Sequence, residues 1–161
     1  MKTKTRFMTQ AAMIAALYVV LTLIANSMGL ALGPIQIRFS ESLTILPFFT
    51  LAAVPGLYLG CLIGNLVTGA MPLDIVLGSL ATLLGAFGTY YLRKHQWLAP
   101  VPPILSNVII VPWILKTVYE FEGSYLYFCI TVGVGQVLSC GVLGGLLLLG
   151  LKPYANVFRL R

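Results

Sequence analysis

Two kinds of side chain in this 161-residue sequence are suited to bind a polar ligand: carboxylates beside apolar segments, and amides inside them. Arg38 and Glu41 are three positions apart in the polar stretch before one apolar segment, near enough to form an ion pair or to face one cavity. Asp74 follows Pro72 at the start of another apolar segment, and Asn65 lies near the end of the segment before it. Carboxylates accept hydrogen bonds, and amides both donate and accept them. The pattern therefore indicates a site for a small polar molecule.

The same carboxylates also have a purely structural explanation. Ser40 is suited to cap a helix that begins beside it. A carboxylate at position 41 or 74 would lie in the first turn of a helix, where the positive end of the helix dipole stabilises it. Arg38 and Glu41 would then form only an interfacial ion pair, and the sequence leaves both interpretations open.

Two further amides lie deep inside apolar segments. Asn107 and Gln136 would be costly in hydrocarbon unless they formed hydrogen bonds within a bundle or lined a cavity. They are equally able to bond to each other or to backbone carbonyl groups. Trp113 is a candidate to stack on a ligand ring, although aromatic residues are common at membrane interfaces in any case.

Several classes of enzyme are excluded by what the sequence lacks. His95 is the one histidine and lies in a basic stretch, which excludes His-based triads and paired-histidine zinc sites. Cys61, Cys129 and Cys140 lie far apart in apolar segments, without the spacing of a metal or redox motif. No phosphate-binding Gly-x-x-x-x-Gly-Lys motif is present. We therefore expect no catalytic residue, no metal and no cofactor.

The elements that would position these residues are membrane-spanning helices. Apolar residues make up 59% of the sequence and charged residues 9%, whereas an average soluble domain has about 25% charged residues. The apolar segments follow one another with short connections, so we expect a single all-α integral membrane domain over residues 1–161. Its six predicted spans cover 7–28, 42–53, 55–70, 73–92, 101–119 and 125–150.

The number of spans depends on whether residues 42–70 form one helix or two. Pro55 and Gly56 are typical of a tight break there. With six spans, eight of the ten Lys and Arg residues lie on the side of the N-terminus, which the positive-inside rule assigns to the cytoplasm. Those eight are Lys2, Lys4, Arg6, Arg93, Lys94, Lys152, Arg159 and Arg161. Both termini are then cytoplasmic, all four acidic residues lie on the outer side, and the net charge of +6 does not indicate nucleic acid.

Small residues are spaced to let helices touch. Glycines recur every four positions in two places, which puts them on one helix face and allows a neighbour to approach closely. They are Gly56, Gly60 and Gly64 on the third span, and Gly141 and Gly145 on the sixth. Two overlapping Ala-x-x-x-Ala pairs on the first span, here named the alanine set, consist of Ala11, Ala12, Ala15 and Ala16. This set suits either internal packing or docking onto another membrane protein, and nothing in the sequence indicates a homo-oligomer.

Short polar motifs between apolar stretches give the chain a resemblance to a known family. In order, they are IQIRFSESLTILPFFT at 35–50, VPGLYLGCLIGN at 54–65, PLDIVLGSLAT at 72–82, LAPVPPILSN at 98–107 and GVGQ at 133–136. In order and spacing, these motifs resemble the QueT family, whose members are regarded as substrate-binding S components of energy-coupling factor (ECF) transporters for queuosine precursors. The resemblance covers nearly the whole chain.

This resemblance implies a six-helix bundle in the plasma membrane with a binding site that faces outside. Its partners would be a transmembrane coupling protein, EcfT, and two cytoplasmic ATPases that supply the energy. The alanine set would match the docking motif of S components. The loop from Gly29 to Phe39, with Gly33 and Pro34 inside it, would suit a lid over the site.

The implied ligand would be a 7-deazaguanine such as 7-aminomethyl-7-deazaguanine or queuine. Its ring N–H and adjacent 2-amino group are two donors that one carboxylate accepts side by side. We expect Glu41 to be that anchor and Asp74 to be a second anionic contact. Candidates to orient the base and to donate to its 6-carbonyl oxygen are Asn65, Asn107, Gln136 and Arg38. The sequence does not distinguish the aminomethyl form from the cyano form or from queuine.

Other interpretations stay open. The chain would equally suit an S component for another small heterocycle or a vitamin, because the same side chains recognise many heterocycles. It would also suit a stand-alone facilitator or channel, or a scaffold that transports nothing. A facilitator would move substrate by itself, whereas an S component would bind substrate by itself and transport it only with ATPase partners.

Overall fold

The computed structural model describes residues 2–30 and 37–158, and within these ranges every regular element is helical. The all-α prediction is therefore confirmed for the described part of the chain. Arg159 and Arg161, predicted to be cytoplasmic, lie outside the described residues, as do Gly33 and Pro34 of the predicted lid.

The helices follow one another with short connections. The α-helices are α1 (Lys2–Ser27), α2 (Ala53–Val67), α3 (Pro72–Tyr91), α4 (Val101–Thr117), α5 (Tyr125–Gln136), α6 (Gly144–Leu151) and α7 (Ala155–Phe158). A 3₁₀ helix, Phe39–Phe48, lies between α1 and α2, a π-helical turn, Val137–Leu143, joins α5 to α6, and a 3₁₀ turn, Lys152–Tyr154, joins α6 to α7. Three helical stretches are long and apolar enough to cross a membrane, namely Thr3–Ser27, Pro72–Tyr91 and Tyr125–Tyr154. Two shorter helices, α2 and α4, are also apolar.

Several helix ends follow directly from residue chemistry. Gly29 and Gly69, just beyond α1 and α2, have φ values of +72° and +75°, which side chains disfavour. Pro72 begins α3, where its missing N–H is no loss. Ser124 caps α5, because its Oγ accepts the N–H of Tyr127 at 3.1 Å. The ends of the first and third predicted spans and the start of the fourth accordingly lie close to the observed ones.

Glycines hold α1 and α2 together. A Cβ built at Gly56 would lie 2.7 Å from the carbonyl oxygen of Ala11, and one at Gly60 would lie 2.7 Å from the Cβ of Tyr18. Gly64 is also buried against α1. The contacts advance in the same sense along both helices, so α1 and α2 run in the same direction with their backbones close together. The predicted contact face on α2 is confirmed.

The chain must return between α1 and α2, and Phe39–Phe48 is the described part of that return. The hydroxyls of Ser42 and Thr44 donate to carbonyl oxygens three residues back, at 2.6 Å each, and Pro47 has no N–H to donate to an α-helical ladder. These features favour the tighter 3₁₀ geometry, in which ten residues extend about 20 Å. The prediction of an α-helix over 42–53 is therefore wrong.

Glycines and prolines join α3 to α4. A Cβ at Gly85 would lie 2.6 Å from the Cα of Pro103, and one at Gly88 would lie 2.3 Å from the Cβ of Pro102. Both prolines lie in the first turn of α4, where their missing N–H groups do not interrupt the helix. This contact fixes the position of α4 relative to α3.

The π turn changes which glycine faces the bundle in the last long helix. Gly144 is buried, and a Cβ there would lie 3.3 Å from the carbonyl oxygen of Ser42. Nothing lies within 4 Å of a Cβ at Gly145, and the nearest atom to one at Gly141 belongs to Val137, 3.7 Å away. The prediction that Gly141 and Gly145 form a contact face is wrong within the described residues. A π turn rotates the residues that follow it, and a spacing argument based on an α-helix misses that rotation.

Both ends of the described chain lie at one end of the bundle. The Thr50 hydroxyl bonds to the Gln10 side chain near the start of α1 at 3.1 Å, and the rings of Phe49 and Phe158 are 5.5 Å apart. The outward surfaces of the long helices are rich in exposed apolar side chains, which suits contact with lipid. The number of membrane crossings and the side on which the termini lie stay predictions.

The α1–α2 contact predicts the effect of adding a methyl group at Gly60. We expect Gly60→Ala to destabilise the protein by about 1–3 kcal/mol, because the new Cβ overlaps the Tyr18 side chain and the α1 backbone. Gly145→Ala is the matched control, since its Cβ meets nothing within 4 Å. Thermal denaturation of both variants in detergent checks this. Equal midpoints for the two variants would contradict the close contact.

Candidate functional site

Glu41 lies inside the bundle in the first turn of the 3₁₀ helix and is only 1% exposed. Tyr18 of α1 donates its hydroxyl to Oε1 at 2.5 Å, and Asn107 of α4 donates its amide to Oε2 at 3.4 Å. Each carboxylate oxygen thus accepts a hydrogen bond from a neutral donor on a different helix. Because both partners donate, the geometry suits the ionised carboxylate, which only accepts.

Asn107 connects this carboxylate to the last long helix. Its Nδ2 also lies 3.4 Å from Oε1 of Gln136 and 3.0 Å from the carbonyl oxygen of Pro103. Cys140 donates its thiol to the same Gln136 oxygen at 3.1 Å and lies 3.5 Å from the carbonyl oxygen of Glu41. Gln136 and Cys140 are the residue before the π turn and a residue within it, so this turn positions both groups toward Glu41.

The burial of Glu41 makes its partners necessary. An ionised carboxylate away from water is strongly destabilising unless it is paired and hydrogen-bonded. A hydrogen bond to a charged group contributes about 1.5–3 kcal/mol, so each donor matters to folding. Tyr18 can serve because Gly60 lets α2 pack directly beneath its Cβ. The close helix contacts of the fold therefore set the geometry of this site.

A small cavity adjoins the Glu41 network. It is lined by Arg38, Asn107, Val111, Val132 and Gln136. The two valines form apolar walls, and the other three residues present polar groups. Its volume of about 10 Å³ is enough for about one water molecule. A bicyclic ligand would have to widen the cavity in order to enter.

A second set of polar residues surrounds Asp74, which is buried at the start of α3. Tyr119 donates its hydroxyl to Oδ2 at 2.8 Å, and the same hydroxyl accepts the N–H of Met71 at 3.3 Å. Gly78 makes room for this group, since a Cβ there would lie 3.1 Å from Oδ1 of Asp74 and 3.3 Å from Nδ2 of Asn65. Asp74 and Asn65 therefore lie against the same glycine.

Arg38 interacts with both carboxylates, and Cys61 joins Asn65 to Thr82; together these side chains form one polar cluster. The sulfur of Cys61 accepts from the Thr82 hydroxyl at 3.4 Å and lies 3.6 Å from Nδ2 of Asn65. Arg38 is partly buried and interacts electrostatically with both Glu41 and Asp74. The cluster therefore extends through the bundle from Glu41 to Asp74.

The structure brings six of the seven predicted ligand-binding residues into this cluster: Glu41, Asp74, Asn65, Asn107, Gln136 and Arg38. Trp113 is the exception, since its side chain is 47% exposed and does not line the cavity. The position of a residue does not establish that it touches a ligand. The binding roles of all seven stay predictions.

The alanine set divides between two faces of α1. Ala11 and Ala15 pack against α2, because their carbonyl oxygens lie 2.7 Å and 3.0 Å from a Cβ built at Gly56 and Gly60, respectively. Ala12 and Ala16 are exposed on the outside of the bundle. Internal packing thus accounts for half of the set, and the other half lies on the exterior.

Sequence reasoning did not select Tyr18 or Cys140. A phenol in the middle of an apolar span is a usable signal, because a buried Tyr hydroxyl needs a hydrogen-bond partner. Cys140 lies four positions after Gln136, which is a weaker signal. Tyr119 also contributes through its hydroxyl, which donates to Asp74.

Two buried hydroxyls next to the Glu41 network have no hydrogen-bond partner among the described residues. They are the Oγ atoms of Ser40 and Ser139, neighbours in sequence of Glu41 and Cys140, respectively. Buried polar groups without a protein partner often bond to water or to a ligand. π turns are likewise frequent at functional sites. Both features point to the same part of the bundle.

Comparison with known proteins places this cluster in context. The sequence model of the QueT transporter family matches residues 8–153. A curated protein, the queuosine precursor transporter QueT of Lactococcus lactis subsp. cremoris (strain MG1363), is 36% identical over 83 residues, which are 52% of this chain and 48% of that protein. The match thus spans about half the length of that relative. No solved structure matches the chain.

The hydrogen bond between Tyr18 and Glu41 predicts a specific loss of stability. We expect Tyr18→Phe to destabilise the protein by about 1.5–3 kcal/mol, because it removes one donor from a buried carboxylate. Tyr91→Phe is the control, since Tyr91 is 78% exposed. Denaturant or thermal unfolding in detergent measures both. A Tyr18→Phe variant as stable as Tyr91→Phe would mean that the bond does not stabilise Glu41.

Proposed function

The chain belongs to the QueT transporter family, and on that premise we propose that it is the substrate-binding S component of an energy-coupling factor importer. It captures a queuosine precursor, a 7-deazaguanine, at the outer face of the plasma membrane. It catalyses no reaction itself, and the coupling protein EcfT and two cytoplasmic ATPases drive transport. A relative named as a queuosine precursor transporter supports the substrate class.

The observation that carries this proposal is the buried, doubly hydrogen-bonded carboxylate of Glu41 beside a small cavity with polar and apolar walls. Each carboxylate oxygen has two lone-pair sites and uses one of them for Tyr18 or Asn107. The ring N–H and 2-amino group of a 7-deazaguanine form the paired donors that a carboxylate accepts side by side. Glu41 is therefore the anchor for the base edge.

The remaining groups match the other parts of the ligand. Asn107 and Gln136 orient the base, and the Gln136 amide N–H groups donate to its 6-carbonyl oxygen, while Asn65 lies beside Asp74. Asp74 is the second anionic contact. Val111 and Val132 line the cavity and are better placed than the exposed Trp113 to contact the ring faces. Ring faces are apolar and pack well against branched side chains.

The number of membrane crossings and the orientation of the bundle in the membrane are part of the same proposal. We take α1, the return segment containing Phe39–Phe48, α2, α3, α4 and the stretch Tyr125–Tyr154 as six membrane passes. The end of the bundle near Gln10 and Thr50 is then cytoplasmic, and the end near Asp74 faces outside. This orientation follows the positive-inside rule, because the basic α3–α4 connection and Lys152 fall on the cytoplasmic side.

Substitution of Glu41 tests the anchor. We expect Glu41→Gln to weaken binding of 7-deazaguanines by about 2–5 kcal/mol, or at least about 30-fold in Kd, because a buried charge-assisted contact is lost. Glu122→Gln is the control, since Glu122 is exposed. Calorimetric titration uses the purified chain with 7-aminomethyl-7-deazaguanine, 7-cyano-7-deazaguanine, queuine and guanine, and with thiamine, riboflavin and biotin for comparison.

Two results of this titration would contradict the proposal. Folded wild-type protein that binds none of the deazaguanines would remove the substrate assignment, and tight binding of a vitamin instead would favour an S component of another specificity. Wild-type binding with an unchanged affinity in Glu41→Gln would remove Glu41 as the anchor.

Reconstitution tests the partners and the docking face. The chain alone in liposomes should bind substrate without accumulating it, and addition of EcfT and the two ATPases should give ATP-dependent uptake.

Ala16→Phe should lower that uptake about tenfold or more while binding persists, because a bulky side chain prevents close helix contact. Ile109→Phe, at an exposed position of α4, is the control. Uptake by the chain alone would indicate a facilitator, and full uptake with Ala16→Phe would remove this docking face.

A further inference from the structure

Arg38 borders the cavity beside Glu41, the proposed anchor of the ligand. Its backbone carbonyl accepts the N–H of Glu41 at 3.0 Å, so the two residues share the first turn of the return segment. Its side chain is partly buried and lines the same small cavity as Asn107 and Gln136. That cavity has room for about one water molecule. A bicyclic base that occupies this cavity must displace side chains of its lining, and Arg38 is the long, charged one among them.

The charges in the polar cluster do not balance. Glu41 and Asp74 are both buried, and Arg38 interacts electrostatically with each of them. Among the residues that the structure describes, the other charged groups of this end of the bundle are Lys116, Glu120 and Glu122, which are all exposed. Solvent screens those three charges, whereas the interior charges are screened much less. One partly buried cation therefore accompanies two buried carboxylates.

The guanidinium of Arg38 resembles the proposed ligand in its chemistry. It is planar, positively charged and carries forked N–H donors that match a carboxylate. The donor edge of a 7-deazaguanine is also planar and forked, and an alkylammonium substituent at position 7 adds the positive charge. Arg38 and such a ligand therefore compete for the same acceptors.

We propose that Arg38 occupies the empty site as an internal substitute for the ligand and thereby selects a cationic 7-deazaguanine, one that carries a protonated amine. This inference rests on the proposed function. On binding, the guanidinium leaves the cavity, the base edge occupies the Glu41 carboxylate, and the ligand ammonium approaches Asp74. The exchange replaces one cation with another, so the net charge of the site does not change.

A neutral 7-deazaguanine lacks this compensation. It displaces Arg38 from the cavity and brings no positive charge of its own to the two carboxylates. Buried charges without a counterion are strongly unfavourable. The site should therefore discriminate between 7-aminomethyl-7-deazaguanine and the neutral 7-cyano compound, which have the same bicyclic core, by about 10- to 100-fold in Kd.

Substitution of Arg38 distinguishes a side chain that competes with the ligand from one that contacts the bound ligand. Calorimetry with the aminomethyl and cyano compounds compares wild type, Arg38→Gln and Arg38→Lys. If Arg38 competes with the ligand, Arg38→Gln binds the aminomethyl compound about tenfold more tightly than wild type, because no internal cation has to be displaced. Arg38→Lys keeps the charge without the planar fork and should give a smaller gain. If Arg38→Gln does not fold, Arg38→Lys still tests whether Arg38 competes with the ligand.

The outcomes are distinct. Tighter binding of the aminomethyl compound by the variants, together with wild-type preference for it over the cyano compound, supports the inference. Unchanged or weaker binding by the variants overturns it, and weaker binding would identify Arg38 as a direct ligand contact. Equal wild-type affinity for the two compounds also overturns it, while the proposed function survives. Wild-type protein that binds neither compound removes the proposed function, and the inference with it.

Discussion

A carboxylate held out of water is the constraint on which the rest of this structure depends. Glu41 is stable inside the bundle only because Tyr18 and Asn107 donate to its two oxygens and the Arg38 cation lies close by. Those partners come from α1, α4 and the start of the return segment, so three separate parts of the chain must meet at one point. A buried carboxylate that needs this many partners is suited to a binding role, because its oxygens can accept the donor edge of a ligand.

Close contacts between helix backbones bring these partners of Glu41 together. Helices inside a membrane gain little from the hydrophobic effect between them, so close contact depends on small residues. Gly60 lets α2 lie directly against Tyr18, and Gly85 does the same for α4 at Pro103, whose carbonyl oxygen also accepts from the Asn107 amide. The π turn brings Gln136 and Cys140 toward the same network. Helix packing and the geometry of the Glu41 network are therefore not separable, because a methyl group added at Gly60 or Gly85 would move Tyr18 or Pro103.

The sequence predicted much of this architecture because its signals are strong. Apolar length and turn residues placed most of the helices, and short polar motifs led to a family that the comparisons confirm. Amides within apolar segments pointed correctly to buried hydrogen bonding, as Asn107 shows. Hydropathy could not reveal the 3₁₀ geometry of Phe39–Phe48, which local hydroxyl–carbonyl bonds favour. Nor could glycine spacing reveal the rotation introduced by the π turn, which leaves Gly145 without a neighbour. Tyr18 was missed because its role exists only once α1 and the return segment are adjacent.

The central claim is that the Glu41 carboxylate holds the base edge of a 7-deazaguanine. An experimental structure of the chain bound to 7-aminomethyl-7-deazaguanine tests it most directly. The account predicts that the ring N–H and the 2-amino group lie within hydrogen-bond distance of the two Glu41 oxygens. It also predicts that the cavity between Val111 and Val132 is widened and that the Arg38 side chain is displaced. A ligand bound elsewhere, with the Tyr18–Glu41–Asn107 network and the closed cavity unchanged, would contradict it.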